Sequence, residues 1–315
     1  MNSAQKTIKY VATGFAYLLA FSIIAGIVAA VMGIMTGIGV IGRHAPDLNI
    51  NCNQYEKCLS VSLAGSDLVI KKGDKLDYEA DNDKLEVTRG DNRLTIVDKS
   101  KGSWSWFGHN NRKTVTVTVP ESMEFDMIGI AAGAGKISAE SIITKDLKLD
   151  LGAGETVVDY VRATDNAKID TGIGRFEIKE GLLKNAGIHL GIGQTTITAI
   201  LAGDTKVDAG IGSVRLNLGL TSSDYTFKVD KGIGKISIDG KEYSDGSIVG
   251  TGKNTLDVDG GIGEIVITTS EATIHTDKTP SSETVTEKPA ADENSEVAQP
   301  VTTETGGVKI EAPID

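Results

Sequence analysis

Aromatic side chains make up only 5% of this 315-residue chain, and acidic residues outnumber basic ones. The 32 lysines and arginines against 43 aspartates and glutamates give a formal net charge of −11. This charge argues against a nucleic-acid-binding protein, which would carry a basic face. The histidines are few and scattered, without the spacing of a metal site or a catalytic triad. We therefore expect no enzyme, no metal and no cofactor, although a site assembled from distant segments would leave no mark in the sequence.

Charged residues are missing altogether from residues 10–42, a run of 33 residues where a bilayer span needs about 20. Lys6 and Lys9 before the run outnumber Arg43 after it. The positive-inside rule then places residues 1–9 in the cytoplasm and the rest of the chain outside the cell membrane. A cleaved secretory signal has a shorter apolar stretch, so we interpret the run as an uncleaved signal-anchor helix of a single-pass membrane protein.

Small residues within this span leave two questions open. The segment 28–30 imitates a signal cleavage site, but the apolar run continues past it. Small residues also recur at every fourth position, a pattern that lets two membrane helices pack closely and form an oligomer. The alternative is that small residues are simply common in membrane helices. The stripe consists of Ala25, Ala29, Gly33 and Gly37.

Cysteine occurs only twice, at Cys52 and Cys58, just outside the predicted membrane. An even number of cysteines outside the cytoplasm predicts a disulfide, which would close a small loop. The alternative is a pair of free thiols. A metal site would need further ligands nearby, and the sequence has none there.

Glycine is abundant, with 37 residues, and part of it forms a repeat. The tripeptide Gly-Ala/Ile-Gly begins at residues 133, 152, 172, 191, 210, 232 and 261. The first five copies are 19 or 20 residues apart, and the last two intervals, of 22 and 29 residues, hold short insertions. Segments that alternate between polar and apolar residues flank each copy, which predicts two half-buried strands joined at a glycine corner. A P-loop would continue with Gly-Lys-Ser/Thr and a helix, so nucleotide binding is not favoured.

A unit of two short strands cannot bury its own apolar face, but stacked units can. The sequence therefore predicts an all-β fold, a parallel β-solenoid with rungs of about 19–20 residues. The glycines would allow a positive φ or a close approach of the backbone at each corner. The residues between the two glycines are expected to form a column that faces the interior: Ala134, Ala153, Ile173, Ile192, Ile211, Ile233 and Ile262.

Strand-like segments precede the repeats between residues 59 and 119, and we interpret them as the cap and first rungs of the same body. The strand that ends at Pro120, the glycine repeats and the single N-terminal span together resemble a bacterial family of β-strand-repeat ectodomains, labelled putative adhesins of unknown function. The resemblance covers about residues 55–270. It implies a β-solenoid in the cell envelope and no catalytic residues.

Aspartate occupies one position of the repeat, just before the glycines. Stacked carboxylates repel one another, so calcium is one candidate for neutralising them. A lysine two residues earlier in four of the rungs offers the simpler interpretation, a solvated face of mixed charge. The column consists of Asp150, Asp170, Asp208, Asp230 and Asp259, with His189 in the remaining rung.

Both tryptophans of the protein lie in one polar loop, which contains Trp104, Trp106 and Phe107. Exposed aromatic side chains would serve contact with a glycan, a partner protein or a membrane. The alternative, which we favour, is that they plug the open end of the solenoid.

The chain changes character after residue 270. Residues 271–315 are rich in Thr, Ser, Glu, Pro and Ala, which predicts a disordered acidic tail after an ectodomain of residues 43–270. Within the tail, the short run 306–311 has the composition of a strand that could pair with a sheet edge.

These features predict a non-catalytic scaffold or adhesin, anchored in the membrane, whose ectodomain contacts an unknown protein or envelope polymer. The alternative is an envelope-stress sensor. Because residues 1–9 are too few to form a signalling domain, a sensor would require a membrane partner.

Overall fold

The computed structural model describes residue 48 and residues 50–99 and 113–269. Within this part of the chain, no helix is long and apolar enough to cross a membrane. The predicted signal-anchor, the loop with both tryptophans and the predicted disordered tail lie outside the described residues.

The described chain is almost entirely β-structure, with two short 3-10 turns at Cys52–Gln54 and Ser222–Asp224. Five long strands, β7, β8, β9, β11 and β12, each run through one of the glycine corners. The strands are β1 (Cys58–Leu63), β2 (Asp67–Gly73), β3 (Asp77–Ala80), β4 (Leu85–Arg89), β5 (Arg93–Asp98), β6 (Thr114–Pro120), β7 (Phe125–Ala139), β8 (Ile142–Val158), β9 (Val161–Ile178), β10 (Gly181–Lys184), β11 (Ala186–Ala202), β12 (Asp204–Leu218), β13 (Tyr225–Asp230), β14 (Ile233–Ile238), β15 (Lys241–Glu242), β16 (Ser247–Val249), β17 (Asn254–Asp259) and β18 (Ile262–Thr269).

Parallel pairing between equivalent positions of successive repeats builds a solenoid-like stack. Gly154 of β8 pairs with Gly174 of β9, which pairs in turn with Gly193 of β11. The segment before each corner forms one wall and the segment after it forms a second wall. A third wall begins at residues 142–144 and 161–163 and continues through β10 to residues 200–202.

Alternation places the core between these walls. In β9, for example, Ile169, Phe176 and Ile178 are buried while the neighbouring Lys168 and Arg175 face solvent. The same arrangement recurs in every long strand, so that one continuous apolar core runs the length of the stack. The predicted all-β architecture with stacked repeats is therefore confirmed.

At both ends of the stack, the spatial order of the strands differs from their order in the sequence. At the C-terminal end, β17 and β18 lie next to β12, and the earlier strands β13 and β14 lie outside them. At the other end, β1 and β2 lie next to β7, and β5 and β6 lie outside. Each outer rung is covered by short antiparallel strands, β3 and β4 at one end and β15 and β16 at the other. Such strands reduce the exposure of an edge that would otherwise pair with other chains.

Candidate interaction surface along the glycine corner

The two glycines of each corner are required by the packing of neighbouring rungs. A β-carbon on the first glycine, such as Gly172, would overlap the carbonyl oxygen of Gly152 in the preceding rung. A β-carbon on the second glycine, Gly174, would overlap that of Gly154. Gly174 also has a φ of +141°, a backbone conformation that favours glycine. The repeat of paired glycines is thus the condition for stacking the corners.

None of the residues between the glycines is buried, since four are exposed and three are half-buried, and the prediction that they face the interior is wrong. Ile211 is 47% exposed, Ile262 is 51% exposed and Ile233 is 75% exposed. The physical reason is the turn itself, because the chain bends around the core and the middle residue of the bend lies at its convex apex. We call these residues the corner ladder, in spatial order Ala134, Ala153, Ile173, Ile192, Ile211, Ile262 and Ile233.

A small space of about 50 Å³, partly open to solvent, follows the same corner. It is lined by glycines of every repeat, by corner-ladder isoleucines such as Ile192 and Ile211, and by core side chains such as Phe176 and Val214. The corner is therefore an apolar strip with local room for a contacting group.

A mainly acidic row runs beside the corner ladder, three residues earlier in six of its seven rungs. We call it the aspartate ladder, in spatial order Asp150, Asp170, His189, Asp208, Asp259 and Asp230. The ladder positions pair directly in the parallel register, so their charges lie about 4.8 Å apart along the stack.

Basic groups neutralise the middle of the aspartate ladder. Lys168 Nζ lies 3.3 Å from Asp170 Oδ2, and Lys206 Nζ lies 2.9 Å from Asp208 Oδ1. His189 lies between them, with Nδ1 2.9 Å from Asp170 Oδ1 and Nε2 3.1 Å from Asp208 Oδ2. Among the described residues, no group of three or more His, Cys, Asp or Glu side chains is arranged to hold a metal ion.

The electrostatics differ along the aspartate ladder. Burial and the neighbouring charge of Asp170 raise the pKa of Asp150, while Lys148 and Lys168 oppose that shift. The hydrogen bond to Asp208 raises the pKa of Lys206. The aspartate ladder is thus a row of mixed charge, in which the ionised form of Asp150 is disfavoured in the folded state.

The two cysteines are joined by a disulfide, with their Cα atoms 5.4 Å apart. The bridge closes the turn that leads into β1. Asp126 at the start of β7 holds the same turn, since its carboxylate accepts hydrogen bonds from the backbone N–H groups of Glu56 and Lys57. Lys145 Nζ lies 2.7 Å from the same carboxylate and lowers its pKa.

The loop that contains Trp104, Trp106 and Phe107 lies outside the described residues, between Lys99 and Lys113. It connects β5 to β6 in the outermost N-terminal rung, and its attachment points are fixed to the next rung. Asp98 accepts a hydrogen bond from the N–H of Ala64, and the carbonyl of Lys113 accepts one from Asp67. The end of β5 and the beginning of β6 therefore lie at the same edge of the stack as the corner ladder.

Sequence comparison with protein families settles the assignment of the fold. The family model named Toastrack DUF4097 matches residues 57–311. The chain belongs to this family. No curated protein matches the sequence.

Two solved structures are similar to this Toastrack chain at low identity. A putative cell adhesion protein from Clostridium sporogenes ATCC 15579 is 16% identical over 70% of this chain and 96% of its own, with a TM-score of 0.31. A putative adhesin from Bacteroides fragilis NCTC 9343 is 14% identical over 67% of this chain and 93% of its own, with a TM-score of 0.28. The resemblance of the repeats to a known β-repeat family is confirmed by the family match over residues 57–311.

Proposed function

We propose that this protein is a membrane-anchored, extracytoplasmic scaffold of the adhesin type. It uses the corner ladder to contact another macromolecule of the cell envelope and carries out no catalysis. The single observation that carries the proposal is the row of exposed isoleucines that ends at Ile211, Ile262 and Ile233. Contiguous exposed apolar side chains on a soluble surface are typical of an interaction site.

The construction of the corner supports this use. Ile211 and Ile262 are held by strands that are paired on both sides, so a partner would meet a surface there that needs no ordering on binding. The aspartate ladder beside it would add polar contacts at the edge of an apolar centre, the usual anatomy of a protein interface. The adhesin names of the two solved structures agree with a binding role.

The uncharged run of residues 10–42 supports the membrane anchor, because it is longer than a bilayer requires. The disulfide between Cys52 and Cys58 supports a location outside the cytoplasm, where disulfides persist. An anchor followed directly by a rigid body would display the corner at the cell surface.

A binding assay with the full chain tests the proposal. Cells that display the protein would be mixed with fluorescent cell-wall fragments and with intact cells that lack it. We expect Ile211→Lys combined with Ile262→Lys to reduce binding at least tenfold. Ile248→Lys is the matched control, because Ile248 is 71% exposed but lies on β16, outside the corner ladder. Equal binding by both variants would contradict the proposal.

The small-residue stripe from Ala25 to Gly37 favours a second candidate, an envelope-stress sensor that acts through a membrane partner. Gly33→Leu would separate the two functions. Loss of a stress response with normal surface display would support the sensor. Unchanged behaviour after exchange of residues 10–42 for an unrelated anchor would support the scaffold.

A further inference from the structure

His189 interrupts the aspartate ladder on a strand, β11, that has no other ionisable side chain. The position two residues before it is occupied by Gly187, whereas the equivalent positions of β9 and β12 carry Lys168 and Lys206. β11 therefore lacks both the carboxylate and the lysine that its two neighbours have. Any side-chain charge on this strand comes from the imidazole ring of His189.

Each ring nitrogen of His189 faces a carboxylate of a different rung. Nδ1 lies 2.9 Å from Asp170 Oδ1 on β9, and Nε2 lies 3.1 Å from Asp208 Oδ2 on β12. A neutral imidazole has one N–H and one nitrogen lone pair, so it would turn the lone pair toward one of the two carboxylates. A protonated imidazole has an N–H on both nitrogens and places a positive charge between two negative ones. The position of the ring therefore suits the protonated form.

The lysines of the flanking rungs leave these carboxylate oxygens to the ring. Lys168 Nζ lies 3.3 Å from Asp170 Oδ2, and Lys206 Nζ lies 2.9 Å from Asp208 Oδ1, so each carboxylate has one oxygen near a lysine and the other near His189. These two lysines and two aspartates are the charged groups that face the ring from β9 and β12, and their charges cancel. The aspartate ladder continues one rung further out in each direction, with Asp150 and Asp259.

We propose that protonated His189 is a brace that joins β9, β11 and β12 through Asp170 and Asp208. The protonated ring attracts the carboxylates of both neighbouring rungs, whereas the neutral ring offers an N–H to one of them. Imidazole ordinarily changes its charge between about pH 5 and pH 8. The brace therefore forms as the pH falls through this range and is lost as the pH rises. Because the side chain of His189 is 51% exposed, water weakens the attraction and the effect is modest.

The brace lies beside the middle of the corner ladder. Ile192 follows His189 by three residues, and it pairs with Ile173 on β9 and with Ile211 on β12. The three strands that the brace joins are thus the strands that present these isoleucines. Acid would stabilise this part of the stack whether or not a partner binds there, so the proposal does not depend on the proposed adhesin function.

Amide hydrogen exchange of the full-length protein at pH 5.5 and pH 8, corrected for the intrinsic pH dependence of exchange, tests the brace. The matched variant is His189→Asn, which keeps a polar side chain that does not titrate. We expect residues 187–190 of the wild-type protein to exchange about threefold more slowly than those of the variant at pH 5.5, because local opening then breaks the brace. At pH 8 the two proteins should exchange at the same rate.

Two further backgrounds separate the brace from other effects of pH. Asp170→Asn combined with Asp208→Asn removes both carboxylates and keeps the ring. In that background, His189→Asn should change the exchange of residues 187–190 by the same factor at both pH values. Asp230→Asn, at the exposed end of the aspartate ladder, should leave the threefold difference at pH 5.5 intact.

Two outcomes would overturn the proposal. If the ratio of exchange rates between wild type and His189→Asn is the same at pH 5.5 and pH 8, a proton on His189 does not join the rungs. Nitrogen NMR of protein that carries isotope-labelled histidine gives the second outcome, with the His189→Asn spectrum assigning the signals. The brace requires both ring nitrogens of His189 to carry a proton at pH 5.5, and a ring with one unprotonated nitrogen at that pH would contradict it whatever the exchange rates.

Discussion

Gly174 lies so close to the carbonyl oxygen of Gly154 that a β-carbon on Gly174 would overlap it. In the later repeats, the same relationship links the second glycine to the equivalent glycine of a neighbouring rung, for example Gly193 to Gly174 and Gly212 to Gly193. Each corner is therefore built against the backbone of its neighbour, and a side chain there would push two rungs apart.

Gly174→Ala should lower the free energy of unfolding by about 3 kcal/mol or more, because it adds a strained φ to a backbone overlap. Gly187→Ala is the matched control, since a β-carbon on Gly187 would have nothing within 4 Å. That control should be neutral or slightly stabilising. Urea denaturation of both variants measures the difference, and equal stabilities would show that the corner does not depend on glycine.

The repeat and its pairing could be predicted from the sequence because they depend on local chemistry. The spacing of the glycine tripeptides gives the rung length, and the alternation around Ile169 and Phe176 gives the buried face. The direction of Ile211 could not be read in the same way. Strict alternation of inward and outward residues along the strand predicts that Ile211 faces the interior. The convex bend between the two glycines instead turns its side chain outward.

The order of the last rungs was also beyond the sequence. The long interval before Gly261 indicates an insertion, but it does not say that the chain leads out to β14 and then returns inside it. Whether β14 or β18 lies next to β12, the alternation of buried and exposed residues and the contacts between glycines would be the same. The distinction depends on the antiparallel strands β15 and β16, which are too short to leave a clear pattern.

Ile211→Asp should change the free energy of unfolding by less than about 1 kcal/mol, because half of that side chain already lies in water. Ile188→Asp is the contrast on the neighbouring strand β11. Ile188 is fully buried, so an unpaired charge there should cost about 4 kcal/mol or prevent folding. Thermal denaturation checks both variants. A severe loss of stability in Ile211→Asp would indicate that the corner ladder faces the interior.

Asp150→Asn should stabilise the protein slightly at neutral pH, by a few tenths of a kcal/mol. Burial and Asp170 raise the pKa of Asp150 above its ordinary value of 3.8, so the folded state holds this proton more tightly than the unfolded state. The protonated carboxyl of Asp150 therefore adds to the free energy of unfolding below pH 3.8. This contribution is lost as the pH rises through the folded-state pKa.

The gain from Asp150→Asn should accordingly be present at pH 7 and shrink as the pH falls toward 3. Denaturation curves at several pH values would measure it. Asp230→Asn, at the exposed end of the aspartate ladder, serves as the control. A gain that grows on acidification would mean that the carboxylate is stabilised in the folded state.

Loss of the disulfide should destabilise the turn before β1 without abolishing the fold. The cysteines are six positions apart, so the closed loop is short and its contribution is about 2 kcal/mol. Asp126 continues to hold the turn through the backbone N–H groups of Glu56 and Lys57. Cys52→Ser combined with Cys58→Ser should show this loss in urea denaturation, and reductant should not change the double variant further.

The redox state of the same cysteines in cells tests the proposed location. Thiols in the cytoplasm are kept reduced, whereas disulfides persist outside it. If the chain beyond residue 43 is extracytoplasmic, Cys52 and Cys58 should resist a thiol-alkylating reagent in freshly lysed cells until a reductant is added. Mass spectrometry of the peptide that contains both residues gives the answer directly. A cytoplasmic protein with one introduced surface cysteine is the control for alkylation, and rapid labelling of Cys52 and Cys58 without reductant would contradict the predicted topology.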